Sequence, residues 1–173
     1  MKVLTKKLLL TATLLTALTI HPSAAPAQLR LAGSLCRAPE PVLFTCDLGT
    51  RTVSICGQDQ GRAIYRFGRP GHIELEITDL HRTQEGWSGG GETQVYADTP
   101  THRYVVYNRM VRTAFGPDGL HDSKITSGLV VQRRGRTVWS RECGRSKVFD
   151  PFAGRFNQRL IKQLLPEGDY VDH

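Results

Sequence analysis

Residues 85–96 read EGWSGGGETQVY, the stretch whose residue types come closest to a catalytic device. Gly86 and Gly90 flank Ser88 at the offsets of a nucleophile turn, G-x-S-x-G, which holds a serine on a sharp strand-to-helix bend. His121 would be the base and Asp122 the orienting acid, with His102 and Asp79 as the other candidates for those roles. That chemistry needs a helix after the turn, and the ETQVYA that follows alternates as a strand does. A phosphate cradle fails on the same ground, because its glycines also open a helix. Gly89-Gly90-Gly91 therefore reads as a bulge or bend at a strand entrance, or as a loop whose backbone can approach a partner. Trp87 is expected to cover the core, and to be a contact residue only if it is exposed. Together with Trp87, the residues Ser88, Gly89 and Glu92 form one candidate binding group.

A second group lies in FGPDGLHDSKITSG, 115–128, the longest stretch without alternation. Pro117-Asp118-Gly119 marks a turn. His121, Asp122 and Ser123 follow it as neighbours on one loop, an arrangement better suited to contact than to a catalytic triad. His72, His81, His102 and His121 show neither an H-x-H pair nor a carboxylate at helical spacing, so no metal or cofactor is expected.

The elements that must carry these loops are short strands. In HIELEI, Ile73, Leu75 and Ile77 face one way and His72, Glu74 and Glu76 the other. Similar alternation marks 41–48, 52–56, 62–67, 93–97, 102–113, 127–133 and 137–143. Seven or eight strands with turn signals between them predict an all-β fold, a small antiparallel barrel or sandwich. The one helical pattern is 156–165, where Phe156, Leu160, Ile161, Leu164 and Leu165 share a face and Pro166 with Gly168 ends it. Such a helix would cover an open end of the sheet. Loops 78–92 and 114–126 are then the surfaces left for a partner.

Turn chemistry sets the register, since a slip of one residue reverses every face. Gly49-Thr50 suits a two-residue hairpin that pairs Leu48 with Arg51, Cys46 with Val53, Phe44 with Ile55 and Leu43 with Cys56. In the next hairpin a five-residue loop pairs Phe67 with Ile73 and Tyr65 with Leu75. It sets Arg66 opposite Glu74 on what reads as a solvated outer face.

The first residues, MKVLTKKLLLTATLLTALTIHPSAAPA, have the form of a secretory signal peptide. Lys2, Lys6 and Lys7 precede an apolar run, and Ala25-Pro26-Ala27 supplies the small residues a signal peptidase reads. The run is too short to span a membrane. Cleavage after Ala27 leaves one domain, 28–173, without a stable membrane span. A Gram-negative periplasm, or secretion into the medium, is the expected location. The net charge of +7 includes the three leader lysines, and the remaining cations alternate with acids. Nucleic-acid binding would show a concentrated basic stripe, so protein or cell-envelope glycan is the expected partner class.

Cys36, Cys46, Cys56 and Cys143 all lie past the leader, which points to two disulfides. Cys46 and Cys56 fall on opposite faces of their hairpin, a geometry no disulfide can bridge. That leaves 46–143 with 36–56, or 36–46 with 56–143.

At LFTCDLGTRTVSIC and the later VWSREC the chain resembles small exported bacterial β-proteins. More distantly, it is similar to the periplasmic and membrane-bound inhibitors of c-type lysozyme. The resemblance covers residues 41–143 and implies a small antiparallel barrel. In those inhibitors a cysteine early in the first strand is tied to one at the end of the last, places that Cys46 and Cys143 occupy here. Their cleft-inserting loop is matched only at Ser88 and Gly89, with Gly91 and Glu92 where an aromatic or basic residue is expected. A mildly basic chain is also a poor electrostatic match for a cationic lysozyme. Closure of the sheet brings the first strand near the last, and Cys36 can turn back beside Cys56, so 46–143 with 36–56 is the expected pairing. The functional expectation is a non-enzymatic binding or inhibitory module, with a small serine hydrolase using Ser88 as the alternative.

Overall fold

The computed structural model describes residues 33–58, 61–144 and 155–173, so the leader 1–27 lies outside them. Alternation and turns build strands β1 (Val42–Asp47), β2 (Thr52–Gln58), β3 (Arg62–Arg69), β4 (His72–Ile77), β5 (Leu80–Trp87), β6 (Gly90–Asp98), β7 (Arg103–Phe115), β8 (His121–Arg133) and β9 (Arg136–Glu142). Helix α1 (Gln158–Leu164) follows. The strands form two antiparallel sheets, β1-β2-β3-β4 and β5-β6-β7-β8-β9. They pack as a sandwich rather than closing into a barrel. Strand β5 is the element that alternation did not reveal: between Leu80 and Trp87 it has no apolar residue, and its last four residues are exposed.

The core lies between the sheets. Phe44, Val53, Ile55 and Tyr65 from the first sheet meet Val95, Ala97, Val106 and Leu129 from the second. Phe156, Ile161 and Leu165 bring α1 onto this core, with the Phe156 ring 4.7 Å from that of Phe44. Asn157 caps the helix by accepting from the Leu160 N–H, and Leu165 leaves it in extended geometry, as a residue before proline must. The helix thus covers one end of the sandwich.

The first hairpin has the expected register, with Phe44 opposite Ile55, Cys46 opposite Val53, and the Leu48 N–H donating to the Arg51 carbonyl. A bulge at Leu43 moves the partner of Cys56 to Val42. Cys36–Cys56 and Cys46–Cys143 are the two disulfides, the second tying β1 to the end of β9.

The second hairpin corrects the expectation by two residues. Phe67 pairs with Leu75, Tyr65 with Ile77 and Arg66 with Glu76, around a tight Pro70-Gly71 turn. A bulge at Phe67–Gly68 absorbs the slack. Gly68 adopts φ 151°, and a Cβ there would stand 2.4 Å from the His72 carbonyl oxygen, so the turn requires glycine.

Arg66 is not solvated. It is 1% exposed, held by the Glu40 carboxylate through both terminal nitrogens and by Glu76 at 2.8 Å. Residues 34–40, fastened by Cys36–Cys56, lie across this outer face of the first sheet. The Leu35 N–H donates there to the Ser54 hydroxyl.

Candidate functional site

Sheet register brings the two predicted loops to one end of the second sheet. Strands β5 and β6 join through a two-residue turn, Ser88-Gly89, with Trp87 opposite Gly90. The Gly89 carbonyl accepts from the Arg112 N–H of β7, and Arg112 pairs in turn with Ser123 of β8. No register shift interrupts β5–β6 at the glycines. They serve close approach instead of a bulge: a side chain at Gly90 would collide with the Trp87 indole, which lies over it. Trp87 does not cover the core. It is 41% exposed and so meets the condition for a contact residue.

Most of residues 114–126 is strand rather than loop, since β7 continues to Phe115 and β8 starts at His121. Every residue from Met110 to Phe115 on β7, and from His121 to Ile125 on β8, is exposed. Exposure of successive residues on both strands means that neither face of this ribbon is covered. Strand β6 still pairs as far as Val111, and the Gly89 carbonyl reaches Arg112. It is therefore the tip beyond Arg112 that projects past the sheet, by about 10 Å at roughly 3.4 Å per residue. Its apolar residues are large: Phe115 and Leu120 are each 68% exposed, with Met110, Val111 and Ile125 beside them. Met110 pairs across the strands with Ile125, while Val111 pairs with Gly90, over which Trp87 lies.

His121 stacks on Phe115 with ring centroids 3.8 Å apart, and its Nδ1 lies 2.9 Å from the Thr113 carbonyl oxygen. Among the described residues no hydrogen bond links Ser88 to His121 or Asp122. Ser88 sits at a hairpin corner with no helix behind it, so the strand-to-helix setting of a nucleophile turn is missing. His121, Asp122 and Ser123 instead decorate the apolar ribbon.

Glu92 has a different place from the other predicted contact residues. Its side chain is fully buried on the outer face of the second sheet, under residues 166–173. Arg109 pairs with one carboxylate oxygen, while His173 Nε2 and the Gln94 amide nitrogen lie 2.8 and 2.7 Å from the other. Burial by itself would raise the Glu92 carboxyl, but the bonds from His173, Gln94 and Arg109 outweigh it and hold it at about 2. The covering segment follows β5 through Arg82–Glu167, then crosses the sheet. The Gln94 side chain exchanges two hydrogen bonds with the Val171 backbone. Gly168 permits this path, since a Cβ there would be 2.1 Å from the Tyr96 hydroxyl.

Cys36, Glu40 and Cys56 come close enough to suggest a metal group, but both sulfurs are committed to a disulfide. Among the described residues, Glu92, His121 and Asp122 do not belong to that group.

Sequence reasoning missed the apolar ribbon and the residues that bury Glu92. The signal for the ribbon was length: β7 and β8 each run 13 residues, against 9 or fewer for the other strands. Strands that outrun their neighbours must either twist away or stand free.

No helix among the described residues is long and apolar enough to cross a membrane. No family model matches the chain, and no curated protein or solved structure matches it significantly.

Proposed function

We propose that this protein is a non-enzymatic binding or inhibitory module that presents the β7–β8 ribbon, flanked by the Ser88-Gly89 turn, to a protein partner in the bacterial envelope. The observation that carries this reading is the projecting tip of the ribbon, where Phe115 and Leu120 are exposed beyond the last β6 pair. A two-stranded ribbon is marginal in water on its own. Grouped exposed apolar side chains mark an interaction site, and Trp, Phe, Met and Arg are the residue types enriched in protein interfaces. Leu120, Val111, Ile125 and Met110 offer a sugar ring no flat face and outnumber the exposed rings of Trp87 and Phe115, which favours protein over glycan. Two disulfides suit an oxidising compartment, and with the leader they support a periplasmic or secreted location.

The test is cross-linked capture from envelope extract by the mature protein and by a Phe115→Ser/Leu120→Ser variant, with Val138→Ser on β9 as an exposed-site control. The reading expects one partner that the double variant loses and the control keeps. Capture that ignores the ribbon substitutions overturns it. Self-association lost in the same variant would make the partner a second copy and overturn the heterologous reading. Labelling of Ser88 by a fluorophosphonate, abolished by Ser88→Ala, would replace the module with the hydrolase.

A further inference from the structure

Helix α1 covers the Phe44 end of the sandwich, and the core opens toward the other end. Tyr104 pairs with Val131, and Val131 with Trp139, toward the turns that follow Asp98 and Arg133. There the sheets form a half-open cavity of about 200 Å³ lined by Tyr65, Phe67, Tyr104, Leu129, Val131 and Trp139. Tyr65 forms its sealed floor at 0% exposure, and the Tyr65 hydroxyl has no hydrogen-bond partner among the described residues. A buried hydroxyl left unpaired costs stability, and nothing in the sandwich requires a tyrosine where phenylalanine would pack. Burial, with Tyr104 adding to it, pushes the Tyr65 phenol well above its ordinary value, so it stays protonated and able to donate. A lone water needs two to four polar partners, which a wall built mostly of hydrocarbon does not provide.

The geometry points to a binding site for a small uncharged amphiphile, a compact apolar body with one carbonyl oxygen that accepts from the Tyr65 hydroxyl. Size follows from volume: a dry cavity of ~150 Å³ accommodates benzene, so this one takes a ring or short chain of roughly six to nine heavy atoms. Charge follows from the lining, in which no Lys, Arg or His could pair a carboxylate, and an unpaired buried anion is heavily penalised. Trp139 is the entrance. It is 41% exposed on edge strand β9 and lines the cavity, so in the proposed site an outward rotation of its indole admits the ligand. Side-chain rearrangements of this kind commonly accompany binding. This site lies at the opposite end of the second sheet from the ribbon and does not depend on the ribbon's role.

Trp87 and Trp139 are the only tryptophans, so a Trp87→Phe background makes fluorescence a report on Trp139 alone. The mature protein in that background is titrated with 4-methylcyclohexanone and with its carbonyl-free counterpart, 1,4-dimethylcyclohexane. Both should bind. Tyr65→Phe should weaken the ketone about tenfold, the size of one buried hydrogen bond. The same change should leave the hydrocarbon's affinity unaltered and the urea midpoint equal or higher. Val131→Phe, which fills the cavity, should abolish binding of both. The proposal is overturned if neither compound binds the parent, if ketone affinity survives Tyr65→Phe, or if binding survives Val131→Phe.

Discussion

The two sheets bury opposite charges under opposite covers. On the first, the buried ion is a cation, Arg66, and residues 34–40 bring Glu40 down to meet it. On the second it is an anion, Glu92, and residues 166–173 bring His173 while the sheet supplies Arg109. The covers differ in how they are fastened. Cys36–Cys56 staples the first to β2, whereas the second rests on hydrogen bonds and on Val171 packed against Tyr96 and Tyr107. A buried ion stripped of its partner costs far more than a surface pair contributes. Each cover is therefore needed for its sheet, but the one on the second sheet is held without a covalent tie. The ribbon above it has no cover at all.

Arg66→Met should produce the largest effect. It leaves Glu40 and Glu76 without their shared cation, and removal of one partner from a buried pair costs about 3–5 kcal/mol. Urea unfolding at neutral pH reads it directly. A loss below ~1 kcal/mol would mean that the first cover already admits water and that the contrast between the two sheets fails.

Replacing Cys36 and Cys56 together with alanine should cost about 3 kcal/mol for a 20-residue separation. The loss should concentrate in the cover: amide exchange should accelerate at Leu35, whose N–H donates to Ser54, before it does in β2. Uniform acceleration would show instead that the disulfide supports the whole first sheet.

Much of this architecture was legible in the sequence, and the illegible part has a common cause. Alternation gave eight of the strands, the Gly49-Thr50 turn gave a register, and that register excluded Cys46–Cys56. Each of these signals spans a dozen residues or fewer. Arg66 was misjudged because Glu40, the group that buries it, lies 26 residues away in a segment with no alternation of its own. Glu92 was misjudged for the same reason, with His173 at a separation of 81 residues. Strand β5 escaped notice because an edge strand with one half-solvated face has no apolar residue to repeat. The ribbon escaped because exposed apolar residues do not differ, in sequence, from buried ones.

Acid should separate the covers more gently. The Glu92 carboxyl is held at about 2, against an ordinary 4.5, so its contribution is complete above about pH 4.5 and is lost as pH falls toward 2. Glu40 is also lowered: Arg66 and the Arg37 backbone N–H outweigh its burial, which gives it the same sign. Glu92→Gln should start less stable at pH 6 and lose less on going to pH 3, with amide exchange at Val171 already fast. If the Gln variant follows the parent's pH dependence, the second cover does not draw its stability from the Glu92 carboxylate.

The smallest effect on stability should come from the ribbon, and this is where the comparison meets function. Phe115 and Leu120 touch neither buried ion nor either cover, and substitutions at exposed sites of that kind usually fall within ~0.5 kcal/mol. Phe115→Ser/Leu120→Ser should therefore leave the urea midpoint nearly unchanged while abolishing partner capture. The two readings can disagree in an informative way. If the double substitution destabilises the fold by more than ~1 kcal/mol, the ribbon packs on the body in solution, and its apolar residues serve folding instead of recognition. If stability and capture both survive, the exposed residues are incidental, and the uncovered ribbon is a consequence of the length of β7 and β8 rather than a contact surface. Only the combination of unchanged stability and lost capture assigns the ribbon to a partner.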